Sequence, residues 1–253
     1  MTSKEGTVRS LSLDEWFLSI QLDKIKDGFH LPFRVKVDIT HLVEKYEAEN
    51  KKLSLTSLLI KASSILIKEN PEYNRAFFKT IFGKKIVEPN YNAVNVPIEI
   101  NHNQIKIVSS VAIQDAYQKS LETISSELKK EKSKTLEDLP VNKLIHGPGN
   151  YYLNKLKLRL IFFVFSNFPG FYLKKHGGGI SVSSLFSVNK SNDDILATAY
   201  GMTALVLCSA NSYKKENKTF LTINIGFDHG VNHGADCVRA LSQLVSILGR
   251  NNL

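Results

Sequence analysis

The chain has 253 residues, 43% hydrophobic and 23% charged, enough to bury a sizeable core in one large or two small globular domains. Its 33 basic and 24 acidic residues leave a formal charge of +9, a balance that favours nucleic acid, an acidic carrier protein or a phosphate-bearing cofactor as partner. No repeat or low-complexity block supports a solenoid or a disordered chain, and nothing approaches the ~18–20 uninterrupted apolar residues of a membrane span.

The N-terminal "MTSKEGTVRSLSLDEWF" lacks the apolar core of a secretory signal, so the chain reads as soluble and cytoplasmic. "PFRVKVDIT" alternates as a strand with Phe33, Val35 and Val37 on one face, and a helix is predicted over 39–50. "LSLTSLLIKASSILIKENP" is an apolar helix that Pro71 stops. "AVNVPIEI" and "QIKIVSSVAI" read as paired strands, with "NHN" at 101–103 as their turn. "KSLETISSELKKEKSK" is an amphipathic helix with Leu121, Ile124 and Leu128 on one side.

The stretch 139–178 holds several prolines and glycines and reads as an irregular insertion, or as a helical segment between two sheet elements. Within it, "LRLIFFVFSNFPGFYL" is expected to be a buried segment or an interface rather than an interfacial anchor. Gly177, Gly178 and Gly179 lack the Lys-Ser/Thr of a phosphate loop and read as a flexible turn entering a strand. "GGGISVSSLF", "ILATAYGMTALVLCSA" and "KTFLTINIGFDH" read as strands, and a closing helix over 235–248 has Val238, Leu241, Leu244, Val245 and Leu248 as its apolar stripe. The pattern is mixed α/β without βαβ alternation or a G-x-G-x-x-G turn, which disfavours a dinucleotide-binding fold.

Two features of composition narrow the partners. Cys208 and Cys237 lie far apart in no metal-ligand spacing and read as reduced core residues. Basic clusters at 129–134 and 214–218 have no interleaved aromatic residues and read as solvated surface, so no nucleic-acid partner is expected.

"GFDHGVNHGADCV" at 226–238 joins the last strand to the last helix. A strand-to-helix corner holds a side chain on rigid supports within reach of solvent or a neighbouring subunit, a good setting for a general base. Histidine, with an ordinary pKa near ~6.5, takes and returns a proton at neutral pH. Three readings stay open on these residues. His229 and His233 could be metal ligands, although Gly230 and Gly234 argue against the single helix that such spacing needs. They could be turn residues satisfied by backbone groups, or His229 could be a catalytic base.

With its flanking pieces this motif resembles the catalytic domain of the 2-oxoacid dehydrogenase acyltransferases, which share a fold with chloramphenicol acetyltransferase. The D-H-R-x-x-D-G-A hallmark of that family stands here as Asp228-His229-Gly230-Val231-Asn232-His233-Gly234-Ala235. "VKVDITHLVEKYEAENKKLSLTSLLIKASSILIKENPEYNRAF", "KSLETISSEL" and "GGGISVSSLF" are similar to further family segments, in the family's order. The resemblance implies a two-layer α/β domain, a mixed sheet covered by helices, forming a homotrimer whose active sites lie between subunits. It implies that His229 deprotonates the attacking group and that Ser183 stabilises the oxyanion, with Ser181 and Ser184 close enough for a register slip to transfer that role.

The departures are as specific as the matches. Gly230 replaces the family's arginine and His233 its aspartate, so one positive and one negative charge are missing together. His233 then hydrogen-bonds in place of the aspartate or lowers the basicity of His229 by like-charge repulsion. "NQIKIVSSV" replaces the "GLVVPV" strand, which implies a remodelled substrate channel. The expectation is one catalytic domain over 1–253, with no lipoyl or subunit-binding domain. Its expected function is that of a stand-alone acyltransferase taking a coenzyme A or carrier-protein thioester, with no permanently bound cofactor and no metal. Two alternatives are a catalytically degenerate trimeric scaffold and a thioester hydrolase.

Overall fold

The computed structural model describes residues 10–25, 30–102, 105–186, 189, 203–231, 233–251 and 253. In chain order the elements are α1 (Leu13–Ile25), β1 (His30–Asp38), α2 (Thr40–Ala48), α3 (Leu55–Glu69), β2 (Ala76–Thr80), β3 (Gly83–Val87), β4 (Ala93–His102), β5 (Ile105–Gln114) and α4 (Leu121–Lys132). There follow α5 (Pro140–His146), α6 (Tyr151–Asn167), α7 (Pro169–His176), β6 (Ile180–Ser184), β7 (Leu205–Ser209), β8 (Ser212–Lys215), β9 (Lys218–Asp228) and α8 (Gly234–Leu248).

A 7-stranded mixed sheet organises the chain, in the order β1-β9-β7-β6-β4-β5, with β8 also paired to β9. β4, β6 and β7 run parallel, and β1, β5 and β9 pair antiparallel to their neighbours. Strand periodicity explains what the sheet packs on. Val94, Val96, Ile98 and Ile100 of β4 alternate toward one face, as do Ile180 and Val182 of β6 and Leu221, Ile223, Ile225 and Phe227 of β9. These side chains join one core with Leu42 of α2, Leu58 and Leu66 of α3, Ile124 of α4 and Leu244 of α8. Burying each such aliphatic or aromatic side chain is worth about 1.5–3 kcal/mol relative to leaving it in water.

Local signals start and stop the core helices. Ser54 caps α3 by accepting from the Ser57 amide at 3.3 Å, and Ser120 caps α4 by accepting from the Thr123 amide at 3.1 Å. α3 ends one residue before Asn70, and Pro71 then opens a single 3-10 turn.

Several sequence expectations are corrected. In α8 the predicted Leu244 and Leu248 are buried and Leu241 and Val245 pack against the core, but Val238 is exposed and Cys237, Ala240 and Ile247 complete the buried side, which is centred further round the helix than predicted. Segment 139–178 is the helical alternative: α5, α6 and α7 fill it. The "LRLIFFVFSNFPGFYL" run within it is not a buried segment of this chain, because Leu160, Phe163, Phe168 and Phe171 are exposed. Gly177, Gly178 and Gly179 form a tightly packed turn rather than a flexible one. Gly177 has φ +112°, and a Cβ on Gly179 would lie 2.0 Å from the Arg75 amide nitrogen. The backbone of 74–75 and 93–95 runs against this turn, leaving no room for side chains.

α1 and the β2–β3 hairpin were not expected from the sequence. The predicted turn at 101–103 falls partly outside the described residues, as does the first half of the predicted strand 195–210, whose described half contains β7. Among those residues no single helix is long and apolar enough to cross a membrane; α6 and α7 together have the composition but meet at a 101° bend.

Candidate functional site

β9 carries the motif into the turn. It is buried on both faces from Leu221 onward, so Asp228 at its end is 3% exposed while His229, one residue further, is exposed. The Asp228 amide donates to the Ala204 carbonyl at 3.1 Å, continuing the sheet, and the Val231 amide donates to the Asp228 carbonyl at 3.1 Å, closing the turn. The carboxylate of Asp228 folds back and accepts from the Gly230 amide at 2.8 Å. A Cβ at Gly230 would sit 3.1 Å from that carboxylate oxygen. Glycine at 230 therefore fits a turn held by its own aspartate. Such aspartate-to-amide contacts two residues on are a standard way to rigidify a short turn.

His233 is the N-cap of α8, with extended backbone, and its amide donates to Asp236 at 3.3 Å. His229 and His233 thus lie on a turn and at a helix start, not on one helix, and the geometry of i,i+4 metal ligation is not formed. Among the described residues no three His, Cys, Asp or Glu side chains converge.

Ser183 is on β6 and pairs in register with Cys208 of β7. Strand alternation turns Ser181 and Ser183 away from the helices. The three neighbouring serines differ in what holds them. Ser181 is hydrogen-bonded to the Asn95 amide at 3.2 Å and to Thr203 at 3.1 Å, and Ser184 to Thr56 of α3 at 2.6 Å. The Ser183 hydroxyl meets the Cys208 thiol. Burial pushes that thiol up, and the serine contact offsets this in part. Burial and the nearby Asp236 carboxylate push the Cys237 thiol up to about 12. Neither cysteine has thiolate character at neutral pH, in keeping with two core residues.

The register also separates the two main candidates. Cys208 pairs with Asn224 of β9, so Ser183 is level with Asn224, and His229 lies five positions beyond it. Five residues at about 3.3 Å and two strand spacings of about 4.8 Å put Ser183 and His229 on the order of 19 Å apart in one chain. The fold does not bring the two together within one chain.

One residue in this row was missed in the sequence. Asn224 is 1% exposed, and neither end of its side-chain amide has a hydrogen-bond partner among the described residues. It lies between Cys208 and Arg34, and the buried Thr222 hydroxyl two residues away is also unpartnered. Leaving such groups unpaired costs about 1–3 kcal/mol each. The sign was present as polar residues at alternate positions of a wholly buried strand. On the helix side, a cleft of about 330 Å³ lined by Lys51, Lys52, Ser54, Ser125 and Lys129 opens beside the start of α3.

The fold is that of the chloramphenicol acetyltransferase-like acyltransferase cores. A truncated catalytic core of the 2-oxoacid dehydrogenase complex from Thermoplasma acidophilum superposes with a TM-score of 0.66 at 16% identity, over 98% of this chain and 100% of that one. A dihydrolipoamide acetyltransferase from Azotobacter vinelandii gives 0.62 at 18% identity, over 96% and 91%. A chloramphenicol acetyltransferase gives 0.51 at 13% identity, over 95% and 99%. No protein-family model matches the chain, and no curated protein matches it by sequence.

Proposed function

We propose that this chain is a stand-alone acyltransferase that moves an acyl group between a coenzyme A or carrier-protein thioester and a thiol, amine or hydroxyl acceptor. His229 removes the acceptor's proton, the freed electron pair attacks the thioester carbonyl, and Ser183 donates a hydrogen bond to the resulting oxyanion. Collapse of that intermediate expels the thiolate, which recovers its proton from His229. No metal or resident cofactor takes part; the coenzyme A thioester is a cosubstrate.

The observation that carries this reading is His229 standing exposed on a turn locked by Asp228, at the end of a strand held on both sides. Ser183 supports it as the serine of its strand whose hydroxyl is engaged only by a weak thiol partner among the described residues. The work on the Azotobacter enzyme concerned a serine, a histidine and an asparagine in its catalytic mechanism, the asparagine four positions after the histidine. His233 has the same spacing from His229, and we assign it a positioning role at the start of α8.

A distance on the order of 19 Å within one chain requires that the two residues meet between subunits. A homotrimer, the assembly that the family resemblance implies, meets that requirement by setting each His229 against a neighbour's Ser183. The cleft beside α3 offers Lys52 and Lys129 to the phosphates of coenzyme A, while Lys51 there pairs with Glu49 and Glu122 also lines it. Two reduced, buried cysteines suit a cytoplasmic setting.

The test is acyl transfer from acetyl-CoA and longer acyl-CoAs to dihydrolipoamide, amine and alcohol acceptors, read by mass spectrometry, beside His229→Ala. Acceptor-dependent product lost in the variant supports the proposal. Acceptor-independent release of coenzyme A identifies a hydrolase. Equal silence of both folded proteins across the panel favours a trimeric scaffold that has lost its chemistry, the reading that Gly230 and His233 would then explain.

A further inference from the structure

α6 is built inside out. Its inward side carries Asn154, Leu158, Ser166 and Asn167, while Leu153, Leu156, Leu160, Phe163 and Val164 on the other side are between 39% and 59% exposed. The exposed set recurs at three- and four-residue spacing, which gathers it into one stripe. Phe168 and Phe171 extend the stripe through the bend into α7 and are 54% and 58% exposed. Specific bonds hold this orientation. The Asn167 side-chain oxygen accepts from the Ile81 amide at 2.7 Å, and its side-chain nitrogen donates to the Phe163 carbonyl at 2.8 Å. On the α1 side, the Lys155 ammonium and the Arg159 guanidinium lie over the Trp16 ring at 5.0 and 5.5 Å.

Charge says what such a face can meet. From 139 to 176 the chain has no aspartate or glutamate, and it carries Lys143, Lys155, Lys157, Arg159, Lys174 and Lys175. Lys157, Arg159, Lys174 and Lys175 are exposed beside the apolar stripe. A second copy laid on this face would oppose two acid-free cationic surfaces. A nucleic acid would use the cations and leave the leucines and phenylalanines in water. A transmembrane span would carry the cations of α6 into hydrocarbon across a 101° bend. An anionic lipid surface satisfies both parts, apolar side chains entering the boundary between headgroups and acyl chains and basic ones meeting phosphates.

We propose that the α6–α7 face docks the protein peripherally on an anionic phospholipid membrane. The docking surface is formed by these two helices alone and does not depend on the acyltransferase assignment.

The purified full chain would be sedimented with vesicles of phosphatidylcholine alone and of phosphatidylcholine mixed with phosphatidylglycerol. The expected result is binding to the anionic vesicles at least about tenfold stronger than to the neutral ones, and weakened by salt. L156S/L160S/F163S and, separately, K157E/K174E each weaken it by about tenfold or more, with circular dichroism and light scattering unchanged. Three results overturn the proposal. Equal or absent binding to the two vesicle types removes the anionic surface. A shift of L156S/L160S/F163S to a smaller assembly assigns the stripe to a second copy. Binding to RNA of similar strength, insensitive to L156S/L160S/F163S, assigns the cations to nucleic acid.

Discussion

Ser183 lies level with Asn224 inside the sheet and His229 just past the end of β9, two strands and five register positions apart. That separation makes subunit mixing informative. His229→Ala is expected to lower turnover by about 10²–10⁴-fold and Ser183→Ala by about 10²–10³-fold. Co-expressed, the two variants rebuild intact sites where the S183A chain's His229 meets the H229A chain's Ser183. Partial recovery of activity in mixed oligomers checks this; a site contained in one chain would recover nothing.

Asp228 and Gly230 act as a pair. Asp228→Ala removes the acceptor for the Gly230 amide and is expected to destabilise by about 1–3 kcal/mol. The turnover loss should exceed the fraction unfolded, because the turn that carries His229 loosens. Urea denaturation beside kcat separates the two effects.

Asn224 gives the opposite sign. With both ends of its amide buried and unpartnered among the described residues, Asn224→Leu is expected to leave stability unchanged or raise it by about 1 kcal/mol, since an apolar group of similar shape relieves the desolvation. If the amide serves a substrate or a neighbouring subunit, activity or assembly falls while the melting temperature does not. Thermal denaturation, light scattering and acyl transfer on one preparation report all three.

His176 sets a pH dependence. Its ring stacks on Tyr172 at 4.7 Å and meets the edge of Phe165 at 5.3 Å. Burial, helped by Lys175, lowers its pKa to about 4. The unfolded chain therefore binds this proton more readily, with a pKa near ~6.5. The stabilisation is complete above about pH 6.5 and lost as pH falls toward about 4, by at most about 3 kcal/mol. His176→Phe should flatten stability over that window, as measured by urea midpoints across pH. The carboxylate of Glu69, held below its usual range by Arg250, contributes its own loss at lower pH, so the two are separable.

Gly179→Ala is expected to destabilise by about 1–3 kcal/mol or more, because its Cβ would meet the Arg75 amide nitrogen at 2.0 Å. Gly170, with nothing near its Cβ, is the control. Differential scanning calorimetry of both variants checks the contrast.

Alternation in β1, β4, β5 and β9, the helical period of α3 and α4, and the stop at Pro71 were all legible in the sequence, because each is a local pattern whose cause lies within a few residues. The "DHGVNHG" corner was legible for the same reason: a buried strand ends, and a histidine follows it. The α1 helix and the short β2–β3 hairpin carry weak periodicity and are held by contacts with distant elements, so they did not stand out. α6 misled in an instructive way. Its apolar stripe has the period of a core helix, yet Ile81, Trp16 and the Asn167 side chain fix the opposite face inward.

The sequence by itself determined the mixed α/β class, the main strands and helices of the sheet and its cover, and the exposed histidine at the end of the last strand. Hydrophobic period and turn residues act locally and can be read in order. Only the tertiary structure decided that Ser183 and His229 are far apart in one chain, that Asn224 is buried without a partner among the described residues, and that α6 shows its leucines and phenylalanines to the outside. Those are consequences of strand register and helix rotation, which depend on which distant segments pair, and no short window of sequence contains that information.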